Sequence, residues 1–83
     1  MFFYVSYVPV AQNQLAQIWM DASDRNAVTR ASHEIDRLLR TQPQTVGEEL
    51  GDYRRLEVTP LEVVYTVSPD DCLVQVWRVS YVP

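Results

Sequence analysis

The chain has 83 residues, 47% of them hydrophobic and 22% charged, which suits one folded domain over residues 1–83 and excludes both a second domain and a disordered chain. The net charge is −4, which argues against a general nucleic-acid binder, because affinity for phosphate comes mainly from positive charge. All seven basic residues are arginine.

A core of this size leaves about 3–5 kcal/mol of net stability, so a partner chain, a second copy included, is expected to matter. Cys72 is the only cysteine and forms no internal disulfide. A reducing compartment, the cytoplasm, is therefore expected. The opening run Phe2-Phe3-Tyr4-Val5-Ser6-Tyr7-Val8 lacks preceding basic residues and a small-residue cleavage site, so it reads as a strand rather than a signal peptide. No stretch is apolar for long enough to span a membrane as a helix.

In chain order, Phe2 to Val8 is aromatic and β-branched and predicts a strand. Pro9 suits the first turn of a helix, which needs no N–H from it. Ala11, Leu15, Ile18, Trp19 and Ala22 recur at helical spacing, so a helix is expected from about Pro9 to Met20. Asp21-Ala22-Ser23-Asp24 is a tight joint in which Ser23 or Asp24 caps the next helix. That helix is expected from about Asp24 to Arg40, with its core stripe at Ala27, Val28, Ala31, Ile35, Leu38 and Leu39. So short a joint makes the two helices an antiparallel hairpin. Thr41 to Asp52, with Pro43, Gly47 and Gly51, reads as the one long loop.

Three strands are expected to follow: Tyr53–Thr59, Leu61–Val67 and Cys72–Tyr81. Pro60 and Ser68-Pro69-Asp70-Asp71 mark the turns of an antiparallel meander. The fold class is α+β, in the order β-α-α-β-β-β, with the helical hairpin on one face of a small, mainly antiparallel sheet.

Strand side chains alternate between faces. Leu56, Val58, Val63, Tyr65, Val67, Cys72, Val74 and Val76 are assigned to the helix-covered face. Arg55, Glu57, Thr59, Glu62, Val64, Thr66, Leu73, Gln75, Trp77, Val79 and Tyr81 are assigned to the other. Trp77 and Tyr81 are then expected beside Arg55 on the uncovered face. Tryptophan, tyrosine and arginine are enriched at binding hot spots, which makes Arg54, Arg55, Trp77 and Tyr81 the candidate partner-binding residues.

Sites for other chemistry are scarce. Gly47 and Gly51, the only glycines, form no phosphate cradle. With one histidine, His33, and one cysteine, no metal or cofactor site is expected, and Glu48, Glu49 and Asp52 lack the calcium-loop pattern. His33 has no evident nucleophile partner. Arg30, His33, Arg37 and Arg40 share the outer face of the second helix, diluted by Glu34 and Asp36. Arg54, Arg55, Arg78 and Tyr81 are the residues fit for phosphate or acid–base chemistry. Arg78 and Tyr81 are three apart, so a regular strand sends them to opposite faces, and only a bulge or a fraying end brings them together.

Taken together, Phe3-Tyr4-Val5-Ser6-Tyr7-Val8-Pro9, Gln14-Leu15-Ala16-Gln17-Ile18-Trp19, Ile35-Asp36-Arg37-Leu38-Leu39, Tyr53-Arg54-Arg55-Leu56, Pro60-Leu61-Glu62-Val63-Val64-Tyr65-Thr66-Val67 and Val74-Gln75-Val76-Trp77-Arg78-Val79 resemble, in order and spacing, the RelE/ParE superfamily of toxins from type II toxin–antitoxin (plasmid stabilisation) modules. The resemblance implies a helix hairpin on a small antiparallel sheet and a cognate antitoxin that wraps and neutralises the domain. In the RelE branch it implies ribosome-dependent messenger-RNA cleavage, with Arg55, Arg78 and Tyr81 in the catalytic positions. In the ParE branch it implies action on DNA gyrase. The absence of lysine and the negative charge favour a toxin-like component acting through protein–protein contacts. A RelE-type endonuclease and a non-toxic binding or dimerisation module on the same fold are the alternatives.

Overall fold

A computed structural model describes residues 2–83. Strand β1, Tyr4–Tyr7, leads into helix α1, Pro9–Asp21, and helix α2, Arg25–Thr41. Strands β2, Glu48–Leu50, β3, Tyr53–Val58, β4, Leu61–Ser68, and β5, Leu73–Tyr81, complete the chain. The five strands form one sheet in the order β1-β5-β4-β3-β2. β1 runs parallel to β5, and every other pairing is antiparallel. The expected α+β architecture is the one observed. Among the described residues, no helix is long and apolar enough to cross a membrane.

The helical hairpin is closed by local chemistry. Pro9 sits in the first turn of α1. Asp24 caps α2, its Oδ1 accepting from the Ala27 N–H at 3.0 Å. Arg25 donates to the carbonyls of Trp19 and Met20 at 3.1 and 3.0 Å, which satisfies the open end of α1. Its guanidinium also lies 4.8 Å from the centre of the Trp19 ring.

Val28, Ala31, Ile35 and Leu39 of α2 are buried, as their spacing predicts, whereas α1 buries only Ala11 completely. They pack on Val5, Leu56, Leu61, Val63, Tyr65, Val74, Val76 and Val79 of the sheet, with Phe3 at its margin.

Three expectations are corrected. The segment Thr41–Asp52 is not a plain loop, since Glu48–Leu50 forms an edge strand paired with β3. Gly51 and Asp52 make the turn of that hairpin, with Gly51 at a positive φ of 64°. Gly47 is also left-handed, at φ 73°, and a Cβ there would collide with the Arg55 carbonyl oxygen, so only glycine fits where this hairpin begins. Second, Cys72 closes the β4–β5 turn at φ 49° and precedes the strand rather than opening it.

The third correction concerns the faces of β5. Val64 pairs with Arg78 but Tyr65 pairs with Val76, so Trp77 is an extra residue in a β-bulge. From there on, parity is reversed. Val79 lies opposite Val63 and is 3% exposed, on the helix-covered face. Tyr81 lies opposite the buried Leu61 and is on the covered side too. The Val79 N–H, beyond the reach of the short β1, donates instead to Oε1 of Gln14 from α1 at 2.8 Å.

Candidate functional site: the open face of the sheet

The face without helices is built by β3, β4 and β5, with β2 at its edge. Cross-strand partners share a face, and the register places Arg55, Val64 and Arg78 in one row across three strands. The bulge creates this row. On an unbroken strand, Arg78 would share the face of Val74 and Val76 and point into the core. Trp77, the extra residue, lies beside it, 41% exposed.

Trp77 is fixed by two contacts. Its indole N–H donates to the Thr66 hydroxyl at 2.9 Å. Its ring meets Tyr53 edge-on, with centroids 6.5 Å apart and planes at 83°, a favourable arrangement for aromatic pairs. Tyr53 is itself exposed. The face thus presents two exposed aromatic rings in contact with each other.

The arginines of this face are already engaged. Arg55 donates to Glu48 at 2.8 Å, its directly paired residue on β2. Glu62 of β4 stands between the two cations, 3.7 Å from Arg55 and 3.9 Å from Arg78. Its side chain is only 14% exposed, and Glu57 lies directly opposite it on β3. The hydrogen bond that Arg55 donates to Glu48, and then the charges of Glu48 and Glu62, hold the Arg55 guanidinium above its ordinary pKa. Two cations therefore sit among three carboxylates, and no free cationic cradle for phosphate is presented.

The other candidate residues lie elsewhere. Arg54 points to the covered face, paired with Tyr65. There it donates to the Val46 carbonyl through Nη2 at 2.8 Å and Nε at 3.3 Å. The Tyr65 hydroxyl donates to the Pro43 carbonyl at 2.8 Å and lies 3.1 Å from the same Val46 oxygen. These two side chains fasten the loop leading to β2. Burial pushes the Tyr65 phenol above its ordinary value, with nearby Arg54 working against the rise.

Tyr81 lines a cleft of about 320 Å³ with Gln17, Ile18, Asp21, Ala22 and Ser23 at the end of α1. The bulge does not bring it to Arg78, because it precedes both residues and leaves them on opposite faces. The structure therefore gathers Arg55, Trp77 and Arg78, and separates Arg54 and Tyr81 from them.

On the outer face of α2, Arg37 pairs with Glu34 and Arg40 with Asp36, both at 2.6 Å. These pairs raise both guanidinium pKa values, and Arg37 lowers that of Glu34. His33 lines a furrow between the helices with Leu15, Trp19, Met20, Val28 and Thr29. Among the described residues, no three histidine, cysteine or carboxylate side chains come together to hold a metal.

Reasoning from the sequence missed Tyr53, Thr66 and Glu48 as parts of this site. Tyr53 has the same strand parity as Arg55 and was available on that ground. Glu48 required recognising Gly51-Asp52 as a two-residue hairpin turn.

No protein-family model matches the sequence, and no curated protein gives a significant match. Solved structures do match in shape. One is from the RelBE2 toxin–antitoxin complex of Mycobacterium tuberculosis, with TM-score 0.81, 14% identity, and coverage of 98% of this chain and 92% of that one. A second is from a chromosomal ParDE system of P. aeruginosa, with TM-score 0.73, 16% identity, and coverage of 99% and 98%. A third is from the intact E. coli RelBE toxin–antitoxin complex, with TM-score 0.67, 15% identity, and coverage of 100% and 99%. What is shared at such identities is the backbone arrangement: the chain has a RelE/ParE-like fold.

Proposed function

We propose that this protein is the toxin-type component of a type II toxin–antitoxin system, bound and neutralised in the cytoplasm by a cognate antitoxin, and that it acts through protein–protein contacts made by the open face of the sheet. The observation that carries the reading is the combination of two exposed aromatics in mutual contact, Trp77 and Tyr53, with arginines paired to Glu48 and Glu62. Aromatic anchors with satisfied polar groups suit a protein partner. The fold supports the reading, since its structural neighbours come from toxin–antitoxin complexes.

The placement of Arg78 and Tyr81 on opposite faces weighs against the RelE-type endonuclease, as does the occupation of Arg55 by carboxylates. A target of the ParE kind, DNA gyrase, fits this reading better than messenger RNA on the ribosome.

Induced expression of the chain alone is expected to arrest growth, and co-expression of the product of an adjacent short reading frame to restore it and to co-purify with the chain. Trp77→Ala is expected to relieve the arrest, by weakening the contact between the open face and its protein target roughly 30-fold, the scale of one hot-spot residue. Arrest accompanied by ribosome-dependent cleavage that Arg55→Ala and Arg78→Ala abolish would replace this reading with the endonuclease. Harmless expression with no adjacent partner frame would replace it with a binding or dimerisation module.

A further inference from the structure

Resting on the open face as the contact surface, we propose that Glu48 and Glu62 are its specificity residues: they hold Arg55 and Arg78 in internal ion pairs, and so reserve the face for a protein partner and close it to a nucleic-acid backbone.

Without the two carboxylates, this face would have the wrong selectivity. Exposed aromatic rings flanked by arginines are the chemistry that holds single-stranded nucleic acid, by stacking bases and tracking phosphates. Tyr53 and Trp77 provide the rings. Arg55 and Arg78 provide the cations, from strands whose backbones lie two spacings, about 10 Å, apart across Val64. Glu62 occupies the space between these cations and approaches both. Its side chain is 14% exposed and sits on an inner strand, so it has less room to move than Glu48, which is 61% exposed on the edge strand. A phosphate arriving at either arginine meets its charge, and that of Glu57 opposite, well inside the screening distance of about 10 Å at ordinary ionic strength.

Glu48 works differently. It lies on β2, whose three residues are all exposed, and its carboxylate takes the Arg55 donor at 2.8 Å that an incoming anion would use. The carboxylate of a partner protein could exchange with it at little electrostatic cost, while the partner's apolar groups covered Trp77 and Tyr53. A polyanionic backbone gains nothing comparable, because Glu62 remains in place. Glu48 is thus the movable half of the screen and Glu62 the fixed half.

The test is binding of a fluorescein-labelled oligouridylate of about 12 nucleotides, within the usual span of a small single-strand site, followed by fluorescence anisotropy. The proteins are wild type, Glu48→Gln/Glu62→Gln, and Asp21→Asn/Asp70→Asn, a control that removes the same formal charge from the end of α1 and the β4–β5 turn without freeing an arginine. Wild type and control are expected to bind weakly. The Glu48→Gln/Glu62→Gln protein is expected to bind at least about tenfold more tightly at low salt, with the gain fading as salt rises. Glu48→Gln alone, at an exposed edge position that does not endanger folding, is expected to give part of the gain. Equal binding by the double variant and the control overturns the proposal, as does wild-type binding as tight as that of the double variant. The measurement contains no partner protein, so its failure is distinct from failure of the contact-surface reading, which Trp77→Ala tests separately.

Discussion

Arg54 and Arg55 are adjacent in the chain and serve opposite faces of β3. On the covered face, Arg54 gives two hydrogen bonds to one backbone carbonyl and, with Tyr65, fastens the loop at Pro43–Val46. On the open face, Arg55 is 41% exposed and paired with carboxylates from β2 and β4. One cation acts as a structural clasp, 18% exposed, and the other belongs to a surface prepared for contact. Strand alternation separates these uses within two residues, and the energetics of the two faces should differ accordingly.

The widest gap is between an anchor of the core and an anchor of the contact surface. Leu39 is fully buried between α2 and the sheet, so Leu39→Ala is expected to cost about 2–5 kcal/mol. For a domain with only a few kcal/mol to lose, that leaves a large unfolded fraction, readable by urea denaturation followed by circular dichroism. Trp77→Ala gives up one hydrogen bond and one aromatic contact on a half-exposed ring, and is expected to cost under about 2 kcal/mol of stability while weakening partner binding by roughly 30-fold. Similar losses of stability from both substitutions would mean that Trp77 is a core residue and that the two faces are not distinct.

A smaller contrast separates the two arginines. Arg54→Ala leaves the buried end of the loop short of a charged donor, and is expected to destabilise by about 1–3 kcal/mol. Arg55→Ala breaks exposed ion pairs, and is expected to cost at most about 1 kcal/mol. Urea midpoints of the two variants, measured side by side, decide this. The reverse ranking would mean that the Arg55 network supports the fold rather than the surface.

The same contrast explains how far the sequence could be read. Helical spacing from Ala11 to Leu39 located the hairpin, and alternation from Leu56 to Val76 identified the covered face, because both follow from regular backbone geometry. Prediction failed where one residue breaks that geometry. Alternation says nothing about where a bulge will fall, so the extra residue at Trp77 reversed every later assignment and sent Val79 and Tyr81 to the covered side. β2 was hidden because Glu48-Glu49-Leu50 has poor strand propensity and is held by pairing with β3. The Glu62 contacts depend on cross-strand register, and the parallel seat of β1 beside β5 on a pairing across most of the chain. Neither leaves a local trace. Gln14, which completes the hydrogen bonding of Val79, had the same disadvantage.

The gentlest difference between the faces should emerge with alkali. Burial raises the pKa of Tyr65 and of Tyr7, with the charge of Asp36 adding to the rise at Tyr7 and Arg40 opposing it. In the unfolded chain both phenols titrate near their ordinary value of 10.0. Below that pH both states are protonated, and the tyrosines take nothing from stability. Above it the unfolded state loses protons first, so it binds fewer than the native state and stability falls with rising pH until the folded pKa values are passed. Urea midpoints measured from about pH 8 upward should therefore be level at first and then decline. Tyr65→Phe lowers the whole curve by about 1 kcal/mol, through the lost bond to the Pro43 carbonyl, and also makes the alkaline decline shallower. Tyr7→Phe should flatten it further. A decline of unchanged steepness in the double variant would show that these two covered phenols are not its source.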